Sequence, residues 1–246
     1  SEAFSSLRLI GSSGAIFSTA LKERLIAANP AMVITDVLGS SEAGGATAVR
    51  ITTKEGTSGG GDFMAAPDVG VTLFDEDLVE IEPGSDKVGI VARTGPLPLG
   101  YLGEDAKNAE TFPTINGKRY LMTGDRARWG EEGAIEFIGR DNMCINTGGE
   151  KVFPEEVEEV LMGYAKIHDA RVVSLPDERF GRKIVAVIQP GEGESVLQDE
   201  IDAHVRANLA GYKVPRLYLF TQEGLRLNNG KPDYKAAQKI ADEAVA

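Results

Sequence analysis

The sequence predicts an α/β layer followed by a smaller α+β segment, and three observations carry that prediction. First, the strand-like run "SLRLIG", a helical run and the apolar run "AMVITDVLG" follow one another near the start. This is the strand–helix–strand pattern of a parallel layer. Second, residues 49–137 hold short β-type runs such as "GVTLFDE", "KVGIVARTG" and "AIEFIGR", separated by Gly, Pro and Asp. They predict an irregular antiparallel sheet or a small distorted β-barrel. Third, from about residue 142 helical and strand periodicities mix again and supply a core of their own. Two domains are therefore expected, 1–141 and 142–246.

The elements follow in order. In "STALKERLIAANP" Leu21, Leu25 and Ile26 fall on one helical face, Ser18 can cap the start and Pro30 marks the end. The run "AMVITDVLG" reads as a buried strand, and "EGTSGGGDF" (55–63) as a flexible loop. In "FPEEVEEVLMGY" Pro154 opens a helix, and Glu155 and Glu156 in its first turn suit the helix dipole. Val157, Val160 and Leu161 form its apolar stripe. "DARVVSLPDERFGRKIVAVIQP" predicts two strands about a Pro/Asp/Gly turn. A helix with Leu197, Ile201, Val205 and Leu209 at i+4 steps comes next, then the strand "PRLYLFTQ" and a tail helix from Tyr234.

Composition narrows the function classes. The chain has 246 residues, 42% hydrophobic and 26% charged, which is globular and excludes disordered or fibrous readings. A net charge of −12 argues against a broad nucleic-acid or lipid-headgroup surface, while leaving room for a local anion pocket. No apolar run approaches the ~20 residues of a membrane span, so no transmembrane segment is expected. No signal segment is read at the start. Cys144 is the single cysteine, which excludes an intrachain disulfide and fits a cytoplasmic setting. It sits in a short apolar run and reads as packed. The two histidines, His168 and His204, lack metal-like or elbow-like neighbours and read as helix or loop surface. Reaching a strand so soon after Ser1 predicts a chain that begins inside a domain.

Five stretches could carry chemistry, and each has a bland alternative. "GTSGGG" offers glycine-rich backbone to phosphates but lacks P-loop spacing, so it reads as a surface loop. "GSSEAGG" follows a strand end, where open parallel sheets bind ligands, and its hydroxyls and carboxylate suit oxyanions and a hard metal; otherwise it is a polar turn. In "LMTGDRARW" a Thr-Gly turn presents Asp125, either to a ribose diol or as the cap of its own loop. In "GRDNMCINTGGEKVFPEEVE" Arg140 can reach a phosphate or ribose, and Gly148 and Gly149 allow close backbone approach; otherwise this is an interdomain hairpin. In "RLNNGKPDYK" Lys231 stands between a polar turn and a helix, as a solvated charge or an aimed one.

In order and spacing, "SSGA", "LGSSEAG", "MTGDRARW", "GRDNMCINTGGEKVFPEEVE" and "LNNGKPDYK" resemble the later core motifs of the adenylate-forming superfamily, which includes acyl-CoA synthetases, luciferases and peptide-synthetase adenylation domains. "PLGYLGEDAKNAETFP", "INTGGEKVFPEEVE" and "NGKPDY" are most similar to fatty-acyl or steroid-acyl CoA ligases of the actinobacterial type. The resemblance implies the end of a large nucleotide-binding domain followed by a small mobile C-terminal domain. It implies a carboxylic-acid substrate, ATP, Mg²⁺ and CoA, with no nucleic-acid partner, and it leaves a homo-oligomer through the large domain open. It also leaves open an acyl-AMP ligase loading a carrier protein, and a non-catalytic module.

Carried over by motif, Glu42 binds Mg²⁺ and Ser41 contacts phosphate. Ser13, Gly14 and Ala15 line adenine and the acyl pocket. Asp125 holds the ribose diol, supported by Arg140. Asn142 is the hinge, and Gly148 and Gly149 line the thiol's path. Lys231 bridges the carboxylate and the α-phosphate. Leu38 stands where the family carries an aromatic, and Asn142 where Asp or Lys is usual. The family's upstream triphosphate loop has no counterpart here, so the chain by itself is expected not to adenylate.

Overall fold

A computed structural model describes residues 4–15, 17–58 and 62–245. The glycines of "GTSGGG" at 59–61 lie outside the described residues. The chain divides between Asp141 and Asn142 into two compact units, with Ser18–Ala20 grouped with the second.

In the first unit β1 (Leu9–Ser13), α1 (Thr19–Ala28) and β2 (Val33–Ser40) form the strand–helix–strand unit, and β1 pairs with β2 in parallel. The parallel layer stops there. β2 turns through Ser41–Gly44 into β3 (Gly45–Thr53), its antiparallel neighbour. The short β4 (Gly56–Thr57) and β5 (Met64–Ala65) complete this sheet on β3. The face expected to anchor α1 is not the buried one. Leu21 is 43% exposed, whereas Lys22 is 2% exposed and ion-pairs with Asp36 on β2. Asp36 also accepts from Arg50 on β3 at 3.1–3.2 Å, so one buried carboxylate answers two cations.

The second sheet of this unit runs β12 (Ile135–Arg140), β11 (Leu121–Trp129), β8 (Gly89–Arg93), β6 (Val71–Phe74), β7 (Glu80–Ile81), all antiparallel. It is an open antiparallel sheet, the first of the two forms expected, and not the small distorted barrel. Among the described residues β7 has only two residues to offer at one edge, and β12 meets only the single bridge Phe63–Ile135 beyond β11. Helix α2 (Asp105–Thr111) and the hairpin of β9 (Thr114–Ile115) and β10 (Lys118–Arg119) lie between β8 and β11. Leu38, Ala48, Phe63, Leu73, Val91, Ala127 and Ile135 form the core.

The second unit starts with a hairpin, β13 (Ile145–Thr147) and β14 (Glu150–Val152), followed by α3 (Pro154–Met162). β15 (Ile167–Asp177) and β16 (Gly181–Pro190) pair antiparallel, placing His168 on an exposed strand position and not on a helix or loop. After α4 (Gln198–Asn208), β17 (Leu217–Phe220) adds in parallel to β16, and α5 (Tyr234–Glu243) closes the described chain. The strand runs are continuously apolar because both faces are covered. Ala170, Val172, Ile184, Ala186 and Ile188 meet Val157 and Leu161 of α3 and Ile201 and Val205 of α4. The alternate residues Val173, Leu175, Val185 and Val187 meet Ala237 and Ala241 of α5. Each fully buried Val, Leu or Ile contributes about 1.5–3 kcal/mol. The carboxylate of Asp233 caps α5, accepting from the Ala236 N–H at 3.0 Å. No helix among the described residues is long and apolar enough to cross a membrane.

Candidate functional site

Since β1 and β2 are parallel neighbours with Ser13 opposite Val37, their carboxyl ends point the same way. Ser13, Gly14 and Ala15 therefore leave the sheet at the end where Ser41 and Glu42 turn, the edge at which open parallel strands receive ligands. The turn is tight, with Ala43 N–H donating to the Ser40 carbonyl at 3.1 Å and Gly44 N–H to that of Ser41 at 3.2 Å. The Tyr101 hydroxyl donates to Glu42 Oε1 at 2.7 Å. That bond, helped by Glu42's own backbone N–H, Ser40 and Lys107, holds the Glu42 carboxyl below its ordinary pKa.

Tyr101 is itself fixed. Its N–H donates to Asn108 Oδ1 at 2.6 Å, its carbonyl accepts from Asn108 Nδ2 at 2.8 Å, and the Lys107 ammonium lies 3.8 Å from its ring centroid. Beneath the turn the guanidinium of Arg93, 5% exposed, donates to the Ala43 carbonyl, and its Nε has no partner among the described residues.

Asp125 does not follow a turn, as its sequence suggests, but sits on a bulge inside β11. Met122 pairs with Ala92 and Arg126 with Ile90, so three residues of β11 oppose one of β8. Gly124 takes φ +73, open to glycine at little cost, and Thr123 Oγ1 accepts from the Asp125 N–H at 3.2 Å. Asp125 is 1% exposed. Arg140, its register partner on β12, donates Nε to Asp125 Oδ1 at 2.9 Å with its own side chain 49% exposed. Burial raises the Asp125 carboxyl above its ordinary value, against the pull of Arg140 and Thr123. The next residue, Arg126, grips Asp141 at 2.5 Å and Glu76 at 3.0 Å, anchoring the residue before Asn142.

In the second unit Gly148 (φ +60) and Gly149 (φ +91) form the two-residue turn between β13 and β14. The Gly148 N–H donates to the Phe180 carbonyl at 2.9 Å, and a Cβ on Gly148 would meet Phe180 Cδ1 at 2.9 Å. Lys231 is exposed and follows the Leu227–Gly230 turn of a loop bridged by Arg226 and Pro232. Its N–H donates to Asn229 Oδ1 at 3.1 Å, and its carbonyl accepts from Leu227 N–H at 2.9 Å.

Thus Ser13–Ala15 and Ser41–Glu42 share one strand end, Asp125 and Arg140 form a pair, and in the other unit Gly148 and Gly149 form a turn while Lys231 flanks one. Sequence reading missed Arg93, Tyr101, Asn108, Arg226, Asp169 and Glu158 as supports. Only an arginine five residues before Lys231 and the tyrosine of "LGYLGED" gave any signal.

For a metal, no cluster of three or more His, Cys, Asp or Glu exists among the described residues. An all-protein cage is therefore absent among them. Mg²⁺ held by one carboxylate together with substrate phosphates needs no such cage, and Glu42 fits that donor set.

The AMP-binding enzyme C-terminal domain matches residues 156–231. A medium/long-chain-fatty-acid–CoA/3-oxocholest-4-en-26-oate–CoA ligase of Mycolicibacterium smegmatis is 44% identical over 98% of this chain and 44% of its own length. The 3-oxocholest-4-en-26-oate–CoA ligase of Rhodococcus rhodochrous is 46% identical over 95% of this chain and 42% of its own. The chain thus spans less than half the length of these curated relatives. Among solved structures, an anthranilate CoA ligase in complex with anthranoyl-AMP superposes with a TM-score of 0.82 at 23% identity, over 98% of this chain and 46% of that one. An amide bond synthetase from Marinactinospora thermotolerans gives 0.80 at 23% identity, over 95% and 47%. The last two speak for the fold.

Proposed function

We propose that the chain belongs to the adenylate-forming superfamily and supplies nucleotide-holding residues and the active-site lysine of an ATP-dependent acyl-CoA synthetase for a fatty or steroid-type carboxylic acid. One observation carries the reading: a buried carboxylate, Asp125, is fixed on a glycine bulge with Arg140 across the strand pair, while the second unit presents an exposed Lys231 just past a turn. The first is a built acceptor for a diol and the second is a cation free to approach an anion.

In the proposed reaction a carboxylate oxygen of the acid attacks the α-phosphorus of ATP and the bond to pyrophosphate breaks. The thiol sulfur of CoA then attacks the acyl carbon, loses its proton and expels AMP. Asp125 accepts the ribose hydroxyls, and Arg140 holds Asp125 and faces the nucleotide. Ser13, Gly14 and Ala15 border adenine and the acyl chain, and Ser41 contacts phosphate. Glu42 would hold Mg²⁺, which supplies charge neutralisation of the phosphates when bound. Lys231 sits between carboxylate and α-phosphate in the first step, where a preorganised cation lowers the barrier. Asn142, just past the anchored Asp141, is the hinge by which one unit presents Lys231 and then Gly148 and Gly149.

The test uses the intact protein. Lys231→Ala is expected to lower acid-dependent ATP–pyrophosphate exchange roughly 10²–10³-fold, as for other charge-stabilising donors. Thioester formation from preformed acyl-AMP and free CoA stays near wild type. Unchanged exchange would remove Lys231 from the reaction, and thioester formation only on a carrier protein would replace CoA as acceptor.

A further inference from the structure

Lys231 is exposed, yet the loop that carries it is tied to one of the most buried ionic clusters in the molecule. Arg226, at the start of the loop, donates Nε to Asp169 Oδ2 at 2.8 Å and Nη2 to Oδ1 at 3.1 Å. Its third arm, Nη1, donates to the carbonyl of Gly230 at 3.1 Å, the residue directly before Lys231. Asp169, 2% exposed on β15, is held from behind by Arg171 at 2.9 Å. Arg171, 1% exposed, stands 3.5 Å from the carboxylate of Glu158 on α3, which is 0% exposed. Glu158 Oε1 accepts the Val172 N–H at 2.9 Å, and Oε2 accepts the hydroxyl of Tyr234 at 3.1 Å. Tyr234 opens α5, three residues past Lys231. The chain of bonds therefore leaves the loop at Arg226, crosses the core and re-enters just beyond the lysine.

Such a cluster is costly. Removing two carboxyl groups and a guanidinium from water exacts a desolvation penalty that apolar packing of equal volume would avoid. Burial raises the Glu158 carboxyl to about 8 despite Arg171, and Arg171 Nε is left without a partner among the described residues. What the cluster does provide is direction. A planar guanidinium bonded twice to one carboxylate and once to a backbone carbonyl allows that carbonyl little freedom.

We propose that Arg226 and Asp169, backed by Arg171, Glu158 and Tyr234, are positioning residues that set the Lys231 loop for acyl-adenylate formation. The proposal rests on the reading of Lys231 given above. The network fixes the backbone on both sides of the lysine and leaves its side chain unburied. Its contribution is confined to the half-reaction in which the ammonium must stand between two anions, where an offset of about 1 Å costs up to ~10²-fold.

The experiment compares Arg226→Gln, Arg226→Lys and Lys231→Ala in the intact protein, together with the double variant Arg226→Gln/Lys231→Ala. The side chain of Arg226 is 35% exposed, and Asp169 keeps Arg171 as a partner when Arg226 is replaced. Expected is a roughly 10- to 100-fold fall in the kcat of pyrophosphate exchange for Arg226→Gln with KM for ATP unchanged. Arg226→Lys recovers part of it, and thioester formation from preformed acyl-AMP is unaffected. In the Lys231→Ala background Arg226→Gln costs nothing further, because both act through one group. Wild-type exchange in Arg226→Gln beside a slow Lys231→Ala overturns the network while sparing the lysine. Equal loss of both half-reactions, or additive losses in the double variant, reduces Arg226 to a structural role and overturns the proposal too. An unimpaired Lys231→Ala overturns the lysine reading, and the network with it.

Discussion

The two carboxylates of the first unit and the lysine of the second are held in opposite ways. Glu42 and Asp125 are fixed at the side chain: a tyrosine hydroxyl bonds one and an arginine the other. Lys231 is fixed at the backbone, through Asn229, Leu227 and the Arg226–Gly230 bond, and its side chain stands in solvent. The contrast follows from what each group does under the proposed function. An acceptor that waits for a diol or a metal gains from being locked before the ligand arrives, even at the cost of burial. A cation that enters and leaves must keep its rotamers, so precision is placed one bond further back, in the loop.

The largest effect expected on binding tests the first half of that contrast. Asp125→Asn keeps the volume and removes the charge. Hydrogen bonds to charged groups are worth about 1.5–3 kcal/mol, so AMP affinity of the intact protein, measured by calorimetry, falls roughly 10- to 100-fold. Wild-type affinity also carries a pH signature. The Asp125 carboxyl is raised by burial, so it protonates earlier than an ordinary aspartate as pH falls, and affinity drops through that raised value. The Asn variant lacks this step. Unchanged AMP affinity would leave Asp125 as the cap of its own bulge and break the contrast.

A second pair of variants probes the two turns, where the contrast predicts that backbone matters and side chain does not. Gly148 sits at φ +60 with Phe180 Cδ1 2.9 Å from where a Cβ would stand. Gly148→Ala costs about 1–2 kcal/mol for the left-handed backbone alone, with displacement of Phe180 added to it. Lys231→Ala, at an exposed position, stays within about 0.5 kcal/mol of wild type. Chemical denaturation of the 246-residue chain reads both. Comparable losses in the two variants would mean that the Lys231 side chain is part of the packing after all.

Much of this was legible in the sequence, and the failures share a cause. The second unit's strands could be read because a three-layer sandwich writes itself as unbroken apolar runs, "DARVVSL" and "KIVAVIQ", flanked by amphipathic helices. The turns at Gly44, Gly148–Gly149 and Gly230 could be read because glycine takes their positive φ. What stayed hidden depends on partners distant in sequence. Lys22 is buried because Asp36 lies across the strand, and the leucine pattern of α1 gives no hint of it. Glu158 differs in no local way from Glu155, Glu156 and Glu159, yet it is fully buried and meets Arg171 and Tyr234 in the core. Arg226 and Asp169 are 57 residues apart. The bulge at Asp125 reads as a turn because Thr-Gly-Asp has turn chemistry in either setting. The barrel failed to close because closure depends on edge strands, whose length the turn residues do not fix.

The smallest effect is also the sharpest probe of side-chain fixation, since it removes one oxygen. Tyr101→Phe deletes the donor to Glu42 Oε1 and leaves the ring against Lys107 and Phe112. If Tyr101 holds Glu42 in place for Mg²⁺, the freed carboxylate must pay for its own ordering when the metal arrives. A partly exposed hydrogen bond of this kind is worth about 0.5–1 kcal/mol, so the Mg²⁺ dependence of ATP binding shifts two- to fivefold toward weaker metal affinity. AMP binding, which needs no metal, stays at the wild-type value in the same titration series. The opposite sign, tighter Mg²⁺ in Tyr101→Phe, would show that the hydroxyl competes with the metal for Oε1. Glu42 would then have to let go of its partner before it could serve, as Lys231 never has to, and the two regions would exchange places in the comparison.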